Sequence, residues 1–131
     1  MGVTPYLSGT VVTGDRRGRE LGFPTANLRF AYAPAMPRLG IYAGRVTLAD
    51  RGVPPGQPSL ISIGTRPTFH DHGDLLAEVH LLDFEGDLYG MQLGVDLLAR
   101  LRDEQRFSDV DALVEQMGRD AEMGRIVLGV A

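Results

Sequence analysis

The chain contains no cysteine and no lysine, and no run of apolar residues long enough to cross a bilayer. Without cysteine it can form neither disulfides nor thiolate metal sites, which suits a reducing compartment. A membrane-spanning helix needs about 20 consecutive apolar residues. The amino terminus also lacks the basic region and apolar stretch of a secretion signal, so a cytoplasmic location without membrane attachment is expected. All 13 cationic side chains are arginine, which excludes a Walker A lysine, a Schiff-base lysine and a lysine general base. A GC-rich genome is enough to account for that bias. Its chemical consequence stands regardless: a cationic contact to phosphate must come from arginine, a backbone N–H or a metal. Positive charge is scarce as well, since 17 acidic residues leave a formal net charge of −4. A nucleic-acid binder that works by neutralising phosphates is therefore not expected. Four tyrosines and five phenylalanines offer little for stacking on bases.

What is present reads as one small β-rich domain. At 131 residues the chain is long enough for a single core, and residues 1–131 are taken as one domain, expected to be monomeric in isolation. Tyr6 to Thr13 is rich in β-branched residues and ends at Gly14. From Gly40 to Leu48 the pattern sets Tyr42, Val46 and Leu48 on one face and Ile41 and Ala43 on the other. Ser59 to Ile63 is short and apolar, and Leu75 to Leu82 sets Leu75, Ala77, Val79 and Leu81 against Glu78 and His80. Leu93, Val95, Leu97, Ala99 and Leu101 alternate too, although Leu97, Leu98 and Leu101 also permit a helix. Residues 33–39, with Pro34 and Pro37, and residues 50–58, with three prolines and two glycines, read as surface loops. His70 to Asp74 and Glu85 to Asp87 read as polar turns. One helix is expected near the carboxy terminus. Ser108 is its N-cap, Asp109 and Asp111 lie in its first turn, and Val110, Leu113, Val114, Met117 and Ala121 form its apolar stripe. Five or six short strands and then one amphipathic helix indicate a small antiparallel barrel with a helix packed against it.

The chemistry concentrates in a few places. Gly14, Gly18 and Gly22 recur at four-residue steps with Arg16, Arg17 and Arg19 between them. Flexible backbone N–H groups and guanidinium donors suit a polyphosphate, although a hairpin turn with solvated arginines has the same composition. The segment Gly22-Phe23-Pro24-Thr25-Ala26-Asn27 comes next. Pro24 restricts its own backbone and that of Phe23. Thr25 and Asn27 share a face if the segment is extended, and their oxygens suit a hard cation such as Mg2+. Glu78 is either a solvated outward residue or, if the polar face lines a cleft, a general base. His80 is read as orienting or packing. The His70-Asp71-His72-Gly73-Asp74 turn has no further histidine or cysteine at a zinc-ligand spacing and is read as a plain turn. Arg102 to Phe107 is a charged connection with Phe107 tucked under the start of the helix.

The ordered blocks Gly14, Arg17, Gly18 and Leu21 to Asn27, then Gly40 to Gly44, Ile63 to Phe69 and Glu78 to His80, resemble the riboflavin kinase family. Asp83-Phe84, Asp87 to Gly90, Leu101 to Glu104 and Arg106-Phe107 continue the resemblance, which runs from about Tyr6 to Arg125. It implies a six-stranded antiparallel Greek-key β-barrel with a carboxy-terminal α-helix. It also implies transfer of the γ-phosphoryl group of ATP to the ribityl 5′-hydroxyl of riboflavin, giving FMN and ADP. In bacteria such a domain is usually the carboxy-terminal half of a bifunctional FAD synthetase, and the adenylyltransferase half is not expected within this sequence.

Position by position, the resemblance implies that Thr25 and Asn27 hold Mg2+ and the nucleotide phosphates. Gly14, Gly18 and Arg19 would belong to a flap over ATP, Arg19 falling where many members carry lysine. Leu81 and Tyr89 would lie near the nucleotide, Arg102, Gln105 and Phe107 would contact the flavin, and Glu78 matches the proposed base. The chemistry fits from below, because a primary alcohol needs a proton acceptor as its oxygen bonds to phosphorus, while positioning and charge neutralisation do the rest. The alternative is a catalytically silent flavin- or nucleotide-binding module on the same barrel.

Overall fold

The computed structural model describes residues 5–12, 25–30, 38–66, 74–86 and 88–130. Six strands lie among them: β1 (Tyr6–Val12), β2 (Thr25–Arg29), β3 (Gly40–Ala49), β4 (Gln57–Arg66), β5 (Asp74–Leu81) and β6 (Gln92–Arg102). One helix, α1 (Val110–Leu128), comes after them. The strands close into a barrel in the order β1-β2-β5-β4-β3-β6, every pairing antiparallel. Strands β3, β4 and β5 are sequential neighbours, and β6 returns to lie beside β3, which is the Greek-key connection. The expected six-stranded barrel with its helix is what forms.

Alternation decides which residues fill the barrel. Ala26 and Leu28 of β2 and Ala77, Val79 and Leu81 of β5 are buried in the interior, with Ile61 and Ile63 of β4 and Leu93, Val95 and Leu97 of β6. The pairs across the β2–β5 ladder are complementary in size, Ala26 opposite Val79 and Leu28 opposite Ala77. Small-against-large pairing of this kind fills a narrow barrel without overpacking it. Period two then sends Thr25, Asn27, Glu78 and His80 to the outer face.

The structure departs from simple alternation where β3 meets β6. Thr47 on β3, and Leu98 and Leu101 on β6, have no partner in the ladder, because the register shifts at each of them. These are bulges, and each reverses the facing of the residues beyond it. Leu48, expected beside Tyr42 and Val46, is instead half-exposed, and Leu101 packs with the helix-side cluster rather than with Leu97. The helical alternative for this stretch is thereby settled in favour of a strand. Strand β4 starts at Gln57, earlier than its apolar pattern suggests.

Helix α1 lies on the outside of the barrel. Its N-cap is Asp109 rather than Ser108: the Asp109 side chain accepts from the Ala112 N–H at 2.8 Å. Met117 and Ala121 bury against Leu60 and Leu82, with Leu113 and Leu101 at the margin, while Val110 at the start of the expected stripe is exposed. A Cβ at Gly124 would lie 3.0 Å from Leu60 Cδ2, so glycine there lets the helix approach β4 closely. At the other end Arg45 Nη2 donates to the Leu128 carbonyl at 2.8 Å, satisfying a terminal acceptor with a cation that the helix dipole favours.

Candidate active site

The ladder register on either side of β5 assembles a polar patch on the outer face. Asn27 of β2 stands opposite Glu78, and Ser62 of β4 stands opposite Glu78 from the other side. In the next outward rung Thr25 and Leu60 flank His80 in the same way. Residues directly opposite in a ladder have Cβ atoms about 5 Å apart. Thr25, Asn27 and Glu78 are therefore neighbours in space, although β3 and β4 intervene between their strands along the chain. All three are half-buried, and Asn27 Oδ1 is shielded from solvent. His80 is 3% exposed. Its Nδ1 lies 3.0 Å from Thr25 Oγ1 and its Nε2 3.3 Å from Ser62 Oγ.

This donor set fits a hard cation of the magnesium type. Hydroxyl and amide oxygens from Thr25 and Asn27 share a face, and a carboxylate stands opposite Asn27. Among the described residues no three His, Asp or Glu side chains converge on a point. Neutral oxygens of this kind suit a Mg2+ that arrives with phosphates and keeps part of its water shell, rather than one caged wholly by protein.

The glycine-arginine segment carrying Gly14, Gly18 and Arg19 lies outside the described residues, as does the His70 to His72 stretch. The ends of the glycine-arginine segment are nevertheless placed. It leaves β1 after Val12, which pairs with Asn27, and re-enters at Thr25. Tyr89 sits at the same end of β1: the neighbouring Gly90 N–H donates to the Val11 carbonyl, and the Val11 N–H donates to the Met91 carbonyl, each at 2.9 Å. The Tyr89 side chain is 61% exposed. Leu81 differs from the other expected contacts. Its side chain is fully buried inside the barrel, which leaves only its main chain for a ligand on the outer face.

The second group of expected residues surrounds the exit of β6. Arg102 Nε donates to Asp120 Oδ1 and Oδ2 at 2.9 and 3.1 Å, and its Nη2 donates to Asp120 Oδ2 at 2.7 Å. Its Nη1 donates to the Asp103 carbonyl at 2.9 Å. The guanidinium carbon lies 5.9 Å from the Phe107 ring centroid, within cation–π range. Arg102 thus holds helix, strand and connecting loop together, and Phe107 rests on Arg102 as well as near the helix start. Gln105 is exposed in the same loop. The neighbouring Glu104 carboxylate lies directly over Gly64, where any Cβ would collide with it. Gly64 is two residues beyond Ser62 on β4, so the loop reaches the margin of the Glu78 row. At the loop's outer edge, hydrogen bonding and charge from Arg100 hold the Asp103 carboxyl below its ordinary pKa.

Ser62, Glu104 and Asp120 are members of this region that sequence reasoning does not identify. Ser62 is one of two serines in a strand that reads as apolar, and only the β4–β5 register brings it, and not Ser59, to Glu78. Asp120 has a local signal, a carboxylate one residue before Ala121 on the buried side of α1, but its partner is visible only in three dimensions.

Comparison with known proteins bears on the family and the fold. The family model described as Flavokinase, riboflavin kinase, matches residues 1–128. The bifunctional riboflavin kinase/FMN adenylyltransferase of Escherichia coli K12 is 44% identical over 95% of this chain and 38% of its own length. The protein of the same name from Bacillus subtilis is 32% identical over 93% of this chain and 38% of its own length. The chain therefore spans well under half the length of these curated relatives. Among solved structures, riboflavin kinase from Trypanosoma brucei superposes with a TM-score of 0.65 at 27% identity, covering 98% of this chain and 83% of that one. A Streptococcus pneumoniae structure described as a macrolide-efflux protein superposes with a TM-score of 0.80 at 37% identity, over 95% of this chain and 39% of that one. Among the described residues here no helix is long and apolar enough to cross a membrane. With a family model covering residues 1–128 and a six-stranded barrel that superposes on a solved riboflavin kinase, this chain belongs to the riboflavin kinase family.

Proposed function

We propose that this domain transfers the γ-phosphoryl group of ATP to the ribityl 5′-hydroxyl of riboflavin, giving FMN and ADP. The observation that carries the reading is the register that sets Glu78 beside Asn27, one rung from Thr25, on the outer face of the barrel. Glu78 accepts the proton of the attacking hydroxyl as its oxygen bonds to phosphorus, a contribution of about 10²–10⁴-fold in rate. Thr25 and Asn27 would hold the Mg2+ that accompanies the nucleotide, and the ion would supply neutralisation of the phosphate charge. In a chain without lysine, the remaining phosphate contacts fall to Arg19 and the backbone N–H groups around Gly14 and Gly18. Tyr89, exposed beside the end of β1, borders the nucleotide.

The flavin lies on the Phe107 side, where the loop from β6 to α1 passes over Gly64. Arg102 supports Phe107 more than it reaches outward, since Asp120 and the Asp103 carbonyl engage most of its N–H donors. Gln105 supplies an adaptable polar contact there.

Incubating the purified protein with riboflavin, ATP and Mg2+, and separating products by HPLC, tests the proposal. FMN and ADP formed in equal amounts are expected. Riboflavin binding without any FMN would leave only a silent binding module.

A further inference from the structure

We propose that His80 is a positioning residue that holds the Thr25 hydroxyl in the orientation a cation requires; the proposal rests on the assignment of Thr25 to the nucleotide–metal half of the site. The imidazole is buried between two strands, with Nδ1 3.0 Å from Thr25 Oγ1 on β2 and Nε2 3.3 Å from Ser62 Oγ on β4. A neutral imidazole has one N–H and one lone pair, and what the far nitrogen meets selects the tautomer.

For Thr25 Oγ1 to turn its lone pairs toward a cation, its own hydrogen must point elsewhere. A lone pair on Nδ1 accepts that hydrogen, and Nε2–H then donates to Ser62 Oγ. The opposite tautomer would spend an Oγ1 lone pair on Nδ1–H and let the hydroxyl hydrogen swing toward the cation. The ring thus couples β4 to β2 across β5. Ser62, which also stands opposite Glu78, supplies the acceptor that Nε2–H needs in this tautomer. Groups that orient a metal ligand from behind in this way change metal affinity by about 10–100-fold when removed.

Two substitutions separate positioning from packing. In His80→Asn the side-chain oxygen takes the place of Nδ1 and can still accept from Thr25. In His80→Gln the amide reaches only as far as Nε2, toward Ser62, although glutamine fills the ring's volume better. Mn2+ binding in the presence of ADP, monitored by the electron paramagnetic resonance of free Mn2+, reads the metal site without turnover. The Mg2+ concentration giving half-maximal FMN formation reads the same site kinetically.

His80→Asn should stay near the parent in both measurements, whereas His80→Gln should weaken Mn2+ binding about 10–100-fold and raise the Mg2+ requirement more than it lowers kcat. Ser62→Ala should fall between the two, and it keeps the test open if His80→Gln fails to fold. Equal effects of Asn and Gln, Gln closer to the parent than Asn, or unchanged metal binding in Ser62→Ala would each overturn the proposal. A parent protein that binds Mn2+ with ADP but forms no FMN would remove the kinase reading and leave His80 to be judged by Mn2+ binding alone. A parent that does neither would overturn both.

Discussion

The outer face of β4 and β5 carries two surfaces only one rung apart. Leu60 and Leu82 lie under α1 and are as buried as anything inside the barrel. Ser62 and Glu78 point the same way from the same strands and form the polar row. Burying a leucine side chain contributes about 2 kcal/mol, so the first surface attaches the helix. The second gives up that stabilisation and keeps a carboxylate, a hydroxyl and an amide within reach of one another. An outward position on this barrel is core or site according to whether the helix covers it, and His80, with Leu60 on one side and Thr25 on the other, marks the boundary.

Substitutions on the two surfaces should therefore separate activity from stability. The largest effect is expected on the polar side. Glu78→Gln should lower the rate of FMN formation about 10²–10⁴-fold while leaving the melting temperature near that of the parent. Turnover close to normal would take the base role away from Glu78.

At the seam between helix and loop, Asp120→Ala leaves Arg102 without its counter-charge. Loss of one partner of a buried ion pair costs about 3–5 kcal/mol, and the lower end applies because the Arg102 side chain keeps 18% exposure. Urea unfolding should register that loss. The KM for riboflavin should rise with it, since Phe107 loses its support, while the Mg2+ requirement stays put.

Under the helix, Met117→Ala should destabilise by about 2–3 kcal/mol through lost burial and a residual cavity, with both substrate KM values retained in the folded fraction. A shift in the Mg2+ requirement in that variant would mean that the two surfaces are not separable.

The smallest effect belongs to the exposed Arg100–Asp103 pair. The Asp103 carboxyl is held low in the folded protein by the Arg100 hydrogen bond and charge. Its contribution is thus present above the ordinary carboxylate range and is lost as pH falls through the depressed value. Because both groups face solvent, screening leaves little of it. Asp103→Asn should give a melting temperature against pH that overlays the parent's, and a displaced acid limb would show that the pair does more.

Much of the barrel is legible in the sequence because burial on one face imposes a period of two. Ala77, Val79 and Leu81 separate from Glu78 and His80 on that ground alone. The bulges at Thr47, Leu98 and Leu101 are not legible. A bulge is a property of two strands in register, and β3 and β6 are far apart in the chain, so alternation alone assigns Leu48 and Leu101 to the wrong faces. The cap goes to Asp109 over Ser108 for a similar reason: both side chains can accept an N–H, and backbone geometry at the helix entry chooses between them.

Of the candidate site, Thr25, Asn27 and Glu78 can be picked out as residues able to hold a cation or move a proton, since those abilities reside in the side chains themselves. Their meeting cannot. It depends on β5 accepting β2 on one edge and β4 on the other, which also brings Ser62 and the far side of His80 into the patch. Hydroxyl, amide, carboxylate and the absence of lysine were settled by covalent chemistry and can be read from any chain. Which of them touch was decided by the closure of the barrel, because a ladder aligns residues by register and not by their distance along the sequence.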